Sequence, residues 1–370
     1  MNNSKAGSYG RLIAFFLVAI ILLCAFGFAV EGWQPANQRD PNTITPGTDD
    51  TDKNDNKDTS GDTPIQPEEP KIPDYTDPIT GLEIAEADSR IRYIAFVIDS
   101  SAPLYGISAS NMIIEIPTEK SSTRLMAFMR QGDVCAKLGS IAPTRAYISS
   151  LSKYFGAALV AYGSDDTVLY NGCDITGSYF DMAKNSGHSY SEYESFNYTN
   201  SDLIAAGLAK SGISMIATSQ SSIPYRFAAF NTTASLGSIS AKTVSLPFNA
   251  STSTDFYYSV THDAYLMSKN GTSVTDPLSS DALKFSNVFV LFADSVTYEN
   301  ENGSELVMNT TGGGKGIYIN SGTAKSITWS ADPLGNMTFY DEFGAQLTVN
   351  RGNVYVGFMK SADSSAVKIS

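Results

Sequence analysis

Four carboxylates in the first half of the chain, Asp99, Glu115, Asp165 and Asp166, carry the chemistry most worth testing. Two carboxylates held several ångströms apart can cleave a glycosidic bond, one as acid and the other as base or nucleophile. Their spacing along the chain does not by itself bring any two of them together. Glu115 lies in the run MIIEIP and Arg124 in TRLMAFM, two strand-like runs separated by a short polar stretch containing Glu119 and Lys120. A turn centred on that stretch puts Glu115 directly opposite Arg124. We read the pair as a register-fixing salt bridge rather than as a charged site.

Other catalytic chemistries find less support. A nucleophilic serine needs a base within hydrogen-bond reach, and no G-x-S-x-G turn occurs. His188 stands among loop residues in Ser186-Gly187-His188-Ser189 and reads as solvent-facing, whereas His262 reads as part of a strand. The two histidines are far apart and lack ligand spacing to cysteines, so no metal is expected. Cys24 sits in an apolar N-terminal run. Cys135 and Cys173 could pair outside the cytoplasm or remain buried thiols. The run Gly312-Gly313-Gly314-Lys315-Gly316 lacks the Ser or Thr and the following helix of a phosphate loop, and reads as a glycine-rich hairpin loop. No cofactor is expected.

The elements that must position these residues are mostly strands. IAFVID, within residues 91–99, is a strand covered on both faces. Residues 144–155 suit a short helix leading into a strand over 157–162. A second helix is expected over 200–210, capped by Asn200 or Ser201 and ended by Gly212. After Ser240 come short β runs punctuated by Asn270-Gly271, Asn302-Gly303, Ser321-Gly322 and Phe343-Gly344, which read as hairpin turns. The expected class is α+β: a mixed α/β domain over 77–235, then a mainly antiparallel β domain over 240–370.

Of the 370 residues 42% are hydrophobic and only 17% charged, with a net charge of −13. That charge repels phosphate backbones, and no Lys/Arg cluster reverses it locally, so no nucleic-acid partner is expected. Residues 12–30 (LIAFFLVAIILLCAFGFAV) are uncharged and would span roughly 28 Å as a helix. Lys5 and Arg11 before the run, and acidic residues after it, place residues 1–11 in the cytoplasm and the rest outside. We read the run as an uncleaved membrane anchor. Cleavage after Ala29 is the alternative, and lipidation at Cys24 is disfavoured by Leu23 in front of it. Residues 31–76 are rich in Asp, Thr, Pro and Asn and read as a disordered acidic tether.

The ordered motifs resemble the YerB-like family of bacterial envelope proteins, often lipoproteins, built from paired N- and C-terminal domains of unknown function. The similarity runs through Asp77-Pro78-Ile79-Thr80-Gly81-Leu82, IAFVIDSSAP, GISASNMIIEIP with Gly106, Ser108 and Glu115, Thr123-Arg124, and Pro143-Thr144-Arg145-Ala146-Tyr147. It continues through Asn287-Val288, Gly314-Lys315-Gly316-Ile317-Tyr318, Ile327-Thr328-Trp329 and Phe339-Tyr340-Asp341 with Gly344, and covers roughly residues 77 to 360. Ala142, Ala161 and Phe196 stand where relatives often carry an arginine or histidine. The resemblance implies an envelope location and leaves Asp99, Glu115, Arg124, Arg145 and Asn197 as retained ligand-binding candidates. Arg145 could hold a carboxylate or phosphate bidentately. The anchor, the tether, the acidic surface and the lack of an assembled catalytic set point to a membrane-anchored, non-catalytic binding module for an envelope protein or peptidoglycan. The alternative is a cell-wall hydrolase or transferase using the first-domain carboxylates.

Overall fold

The protein is described here by a computed structural model covering residues 72–118, 122–134, 136–163, 178–192, 196–217, 223–300 and 303–370. Strands dominate because the sequence supplies short apolar and β-branched runs between turn residues. The first half contributes β1 (Tyr93–Asp99), β2 (Met112–Pro117), β3 (Thr123–Arg130), β4 (Leu138–Gly139), β5 (Ala158–Ala161), β6 (Tyr179–Asp181), β7 (Tyr190–Glu192), β8 (Phe196–Thr199) and β9 (Arg226–Phe227). Helix α1 (Ala146–Tyr154) precedes β5, and α2 (Ser201–Lys210) follows β8.

The second half adds β10 (Ile239–Ser240), β11 (Thr243–Asn249), β12 (Thr252–Ser259), β13 (Ala264–Lys269), β14 (Thr272–Ser273), β15 (Lys284–Phe285), β16 (Asn287–Ala293), β17 (Ser295–Asn300) and β18 (Gly303–Met308). It closes with β19 (Gly312–Asn320), β20 (Thr323–Ala331), β21 (Met337–Tyr340), β22 (Thr348–Val349), β23 (Val354–Lys360) and β24 (Lys368–Ile369).

An 11-stranded sheet is the centre of the molecule, in the order β10-β20-β19-β16-β23-β2-β3-β1-β5-β6 with β21 on β20. The late strand β23 lies between β16 and β2 and runs parallel to both, with Glu115 opposite Gly357. Strands from either side of residues 235–240 therefore share one sheet. In coarse form the α+β expectation holds: the chain is strand-rich with few helices.

Alternation along each strand fills both faces of this sheet. Ala95, Val97, Met126 and Phe289 point into a core roofed by Ile148 and Leu151 of α1. Phe96, Ile98, Leu125 and Tyr355 point into a second core. Leu208 of α2 and a 6-stranded sheet ordered β14-β13-β12-β11-β24, with β15 on β13, cover that side. Fully burying one such Phe or Ile stabilises the fold by about 1.5–3 kcal/mol.

Several local signals act as the sequence indicates. The Asn200 Oδ1 atom accepts from the Leu203 amide at 2.9 Å and starts α2. Gly212, just past its end, has φ +67. The Ser321-Gly322 turn joins β19 to β20 with both residues at positive φ.

Candidate functional site

Glu115, in the central strand β2, is fully buried at 0% exposure and lies where the two sheets meet. Its Oε1 accepts from the Thr123 hydroxyl at 2.7 Å and from the Lys269 ammonium. Its Oε2 accepts from Thr254 at 2.7 Å and from the Tyr355 hydroxyl at 2.8 Å. Thr123 comes from β3, Tyr355 from β23, Thr254 from β12 and Lys269 from β13, so four neighbouring strands close on one carboxylate. Burial pushes the Glu115 carboxyl up. The Lys269 charge and the hydrogen bonds from Lys269, Thr123 and Thr254 outweigh that and hold it below the ordinary carboxylate value. Burial, and then the Glu115 charge, drive the Tyr355 phenol well above its usual value. Tyr355 reaches across because Gly357 beside it has no side chain: a Cβ there would stand 3.2 Å from Leu246 and 3.4 Å from the Tyr355 hydroxyl.

A polar rim forms at the C-terminal ends of β1 and β5. There the segment after β4 wedges between them: Ile141 bridges Ile98, the Ala142 amide donates to Val97, and the Tyr162 amide donates to Ala142. Crevices at the carboxyl ends of parallel strands are where open sheets place ligands. Asp99 ends β1 and meets Arg124 at 3.8 Å, with the side chains 25% and 17% exposed respectively. Arg145 follows the wedge, half-buried, at the start of α1. Asn197 flanks it from β8, its carbonyl accepting the Ile141 amide at 2.6 Å. The Ser100 hydroxyl, next to Asp99, lies 2.9 Å from Thr123 Oγ1, so the rim touches the shell of the buried Glu115 network.

Residues 79–214 match the family described as "Protein of unknown function (DUF3048) N-terminal domain", and residues 244–356 match its C-terminal domain. The chain belongs to the DUF3048 family. The YerB protein of Bacillus subtilis, whose crystal structure is known, superposes with a TM-score of 0.68 at 20% identity, over 80% of this chain and 99% of that one. This likeness establishes the YerB-like architecture of paired domains. Among curated proteins no sequence matches the chain significantly.

Most of the DUF3048 motif residues serve the scaffold. Asp77 Oδ1 accepts from the amides of Ile79 and Thr80 at 2.9 and 2.8 Å, and its Oδ2 accepts from the Tyr93 hydroxyl at 2.5 Å. Gly106 and Ser108 donate their amides to Asp276, both at 3.0 Å. The Trp329 indole donates to the Phe292 carbonyl at 3.2 Å across Gly314, where a Cβ would lie 2.3 Å from that carbonyl oxygen. The glycine run 312–316 is therefore the start of β19 and not a hairpin loop, and close strand approach requires the glycines at 313, 314 and 316.

Three further expectations are corrected. Arg124 faces Ile116, and Glu115 faces Leu125, one residue away from the expected register. That slip puts Arg124 on the face opposite Glu115 and in reach of Asp99. His188 is buried at 8% exposure, with Nδ1 3.0 Å from the Leu203 carbonyl oxygen and its ring edge-on to Phe180. His262 lies in the turn between β12 and β13, its Nδ1 2.9 Å from the Ser259 hydroxyl.

Asp165, Asp166, Cys24, Cys135 and Cys173, together with the anchor over 12–30, lie outside the described residues. Among the described residues no helix is long and apolar enough to cross a membrane, and no group of three or more His, Cys, Asp or Glu could hold a metal ion. Lys269, Thr254 and Tyr355 carry no sequence signal that would join them to Glu115, because each reaches it only through strand pairing across the whole chain.

Proposed function

We propose that this DUF3048 protein is a non-catalytic binding module anchored in the bacterial cell membrane by residues 12–30. An acidic tether over 31–76 would project it into the envelope, where it engages an envelope protein or cell-wall polymer. Within it, residues 77–235 would supply the contact surface and 240–370 the supporting sheet. One observation carries this reading: both oxygens of Glu115 are saturated and the side chain is sealed from solvent. A general acid or base must reach its substrate within hydrogen-bond distance, and Glu115 has no open side. Asp99 is engaged by Arg124 and by the Ser101 hydroxyl at 2.7 Å. The rim then offers hydrogen-bonding and charged groups suited to holding a carboxylate, phosphate or amide.

The test measures co-sedimentation of the full-length protein with purified peptidoglycan, co-capture with solubilised envelope proteins, and release of soluble wall fragments in the same samples. The expected result is association weakened about tenfold by Asp99→Ala or Arg145→Ala, with no fragment release. Fragment release abolished by Asp165→Ala or Asp166→Ala would instead make the protein a wall hydrolase.

A further inference from the structure

A cavity of about 260 Å³ opens beside the start of β2, at the end of that strand opposite the polar rim. Its wall joins both halves of the chain: Ser110 and Ile113 from the first, Asp281, Lys284, Phe285 and Asn353 from the second. At about 30 Å³ per liquid water it is far too large for one solvent molecule. It is also smaller than the roughly 300–1,000 Å³ of sites for drug-sized ligands.

Its lining includes one buried polar group without a partner. Ser110 is 4% exposed, and its hydroxyl is buried without a hydrogen-bond partner. An unpaired buried hydroxyl costs about 1–3 kcal/mol. The Asp281 carboxylate and the Lys284 ammonium are exposed at the cavity's edge and form no ion pair with one another, and half-buried Asn353 lies on the same wall. The wall itself is rigid. Asp276 clamps the turn leading to Ser110 by accepting from the Gly106 and Ser108 amides and from the Ser108 hydroxyl at 2.7 Å. Phe285 is buried edge-on against Phe256 and Tyr355. Preorganisation of this kind lowers the cost of binding.

We propose that this cavity binds a small zwitterion of the amino-acid type, either a free amino acid or a short peptide with both termini charged. A simple anion would pair with Lys284 alone and a simple cation with Asp281 alone. A ligand carrying an ammonium and a carboxylate satisfies both. Ile113 and Phe285 take a short aliphatic side chain, and the Ser110 hydroxyl and Asn353 carboxamide take a carbonyl or amide. The proposal stands apart from the rim and does not depend on it.

Calorimetric titration of the full-length protein with alanyl-alanine, with its N-acetylated and C-amidated counterpart, and with N-acetylglucosamine tests it. Alanyl-alanine should bind and the doubly blocked peptide should bind at least about tenfold more weakly. Asp281→Asn and Lys284→Met, both at exposed positions, should each weaken binding about tenfold, whereas Arg145→Ala should leave it unchanged. Equal binding of the blocked peptide, binding of N-acetylglucosamine alone, or no binding of alanyl-alanine at about 10 mM would overturn the proposal.

Discussion

Glu115 and Lys269 form a buried ion pair between residues 154 apart in sequence, tying the central sheet to the smaller one that covers it. Removing one member of such a pair leaves an uncompensated charge, which typically costs about 3–5 kcal/mol, whereas replacing both by apolar groups is often neutral. Lys269→Met should therefore lower the urea unfolding midpoint strongly. The double variant Glu115→Leu/Lys269→Met should recover much of the loss. A double variant no more stable than the worse single would show that the hydrogen bonds, and not the charge pair, dominate.

The same pair sets an acid limit. Glu115 has a folded-state value below its unfolded one, so its contribution is fully present above the ordinary glutamate range and is lost as pH falls through the depressed value. Stability should be flat near neutrality and decline as pH falls below about 4.3. Glu115→Gln should be less stable at pH 7 but show a shallower acid decline. An unchanged acid limb, measured by urea unfolding at a series of pH values, would move the acid sensitivity to another carboxylate.

Gly314→Ala should destabilise the fold although the change is only one methyl. Its Cβ would stand 2.3 Å from the Phe292 carbonyl oxygen and 2.9 Å from the Trp329 ring nitrogen, so the strand or the indole must move. Overpacking typically costs about 1–3 kcal/mol. A lower melting temperature with red-shifted tryptophan emission is the expected reading, since Trp329 is 2% exposed.

The Asp99–Arg124 pair is partly exposed, and such pairs contribute about 0–1 kcal/mol. Asp99→Ala and Arg124→Ala should melt close to the parent protein. Any loss of partner binding in these variants then reports on the rim and not on folding.

Much of the local structure was legible in the sequence. The IAFVID run, the β2–β3 hairpin, the Asn200 cap and the Ser321-Gly322 turn are encoded by neighbouring residues, and each appears where its signal stands. What escaped depended on parity or on distance. One residue of turn length decides which face Arg124 occupies, and composition does not fix it. The parallel insertion of β23 between β16 and β2 brings Tyr355 to Glu115, 240 residues away in sequence, with no local hydrogen-bond or turn signal to announce it. Lys269 was invisible as a partner for the same reason. It reads as a strand-end lysine before an Asn-Gly turn until β13 is laid over Glu115.

We propose the rim at the ends of β1 and β5 as the contact surface. Photo-crosslinking in living cells tests it most directly, with the full-length protein carrying a photoreactive phenylalanine at Pro143, which is exposed beside Arg145. A matched control carries it at Val260, which is 82% exposed on the turn between β12 and β13. The expected result is a discrete adduct with one envelope protein or with wall material from position 143, absent from position 260 and lost with Arg145→Ala. Identical products from both positions, or none from position 143, would contradict it.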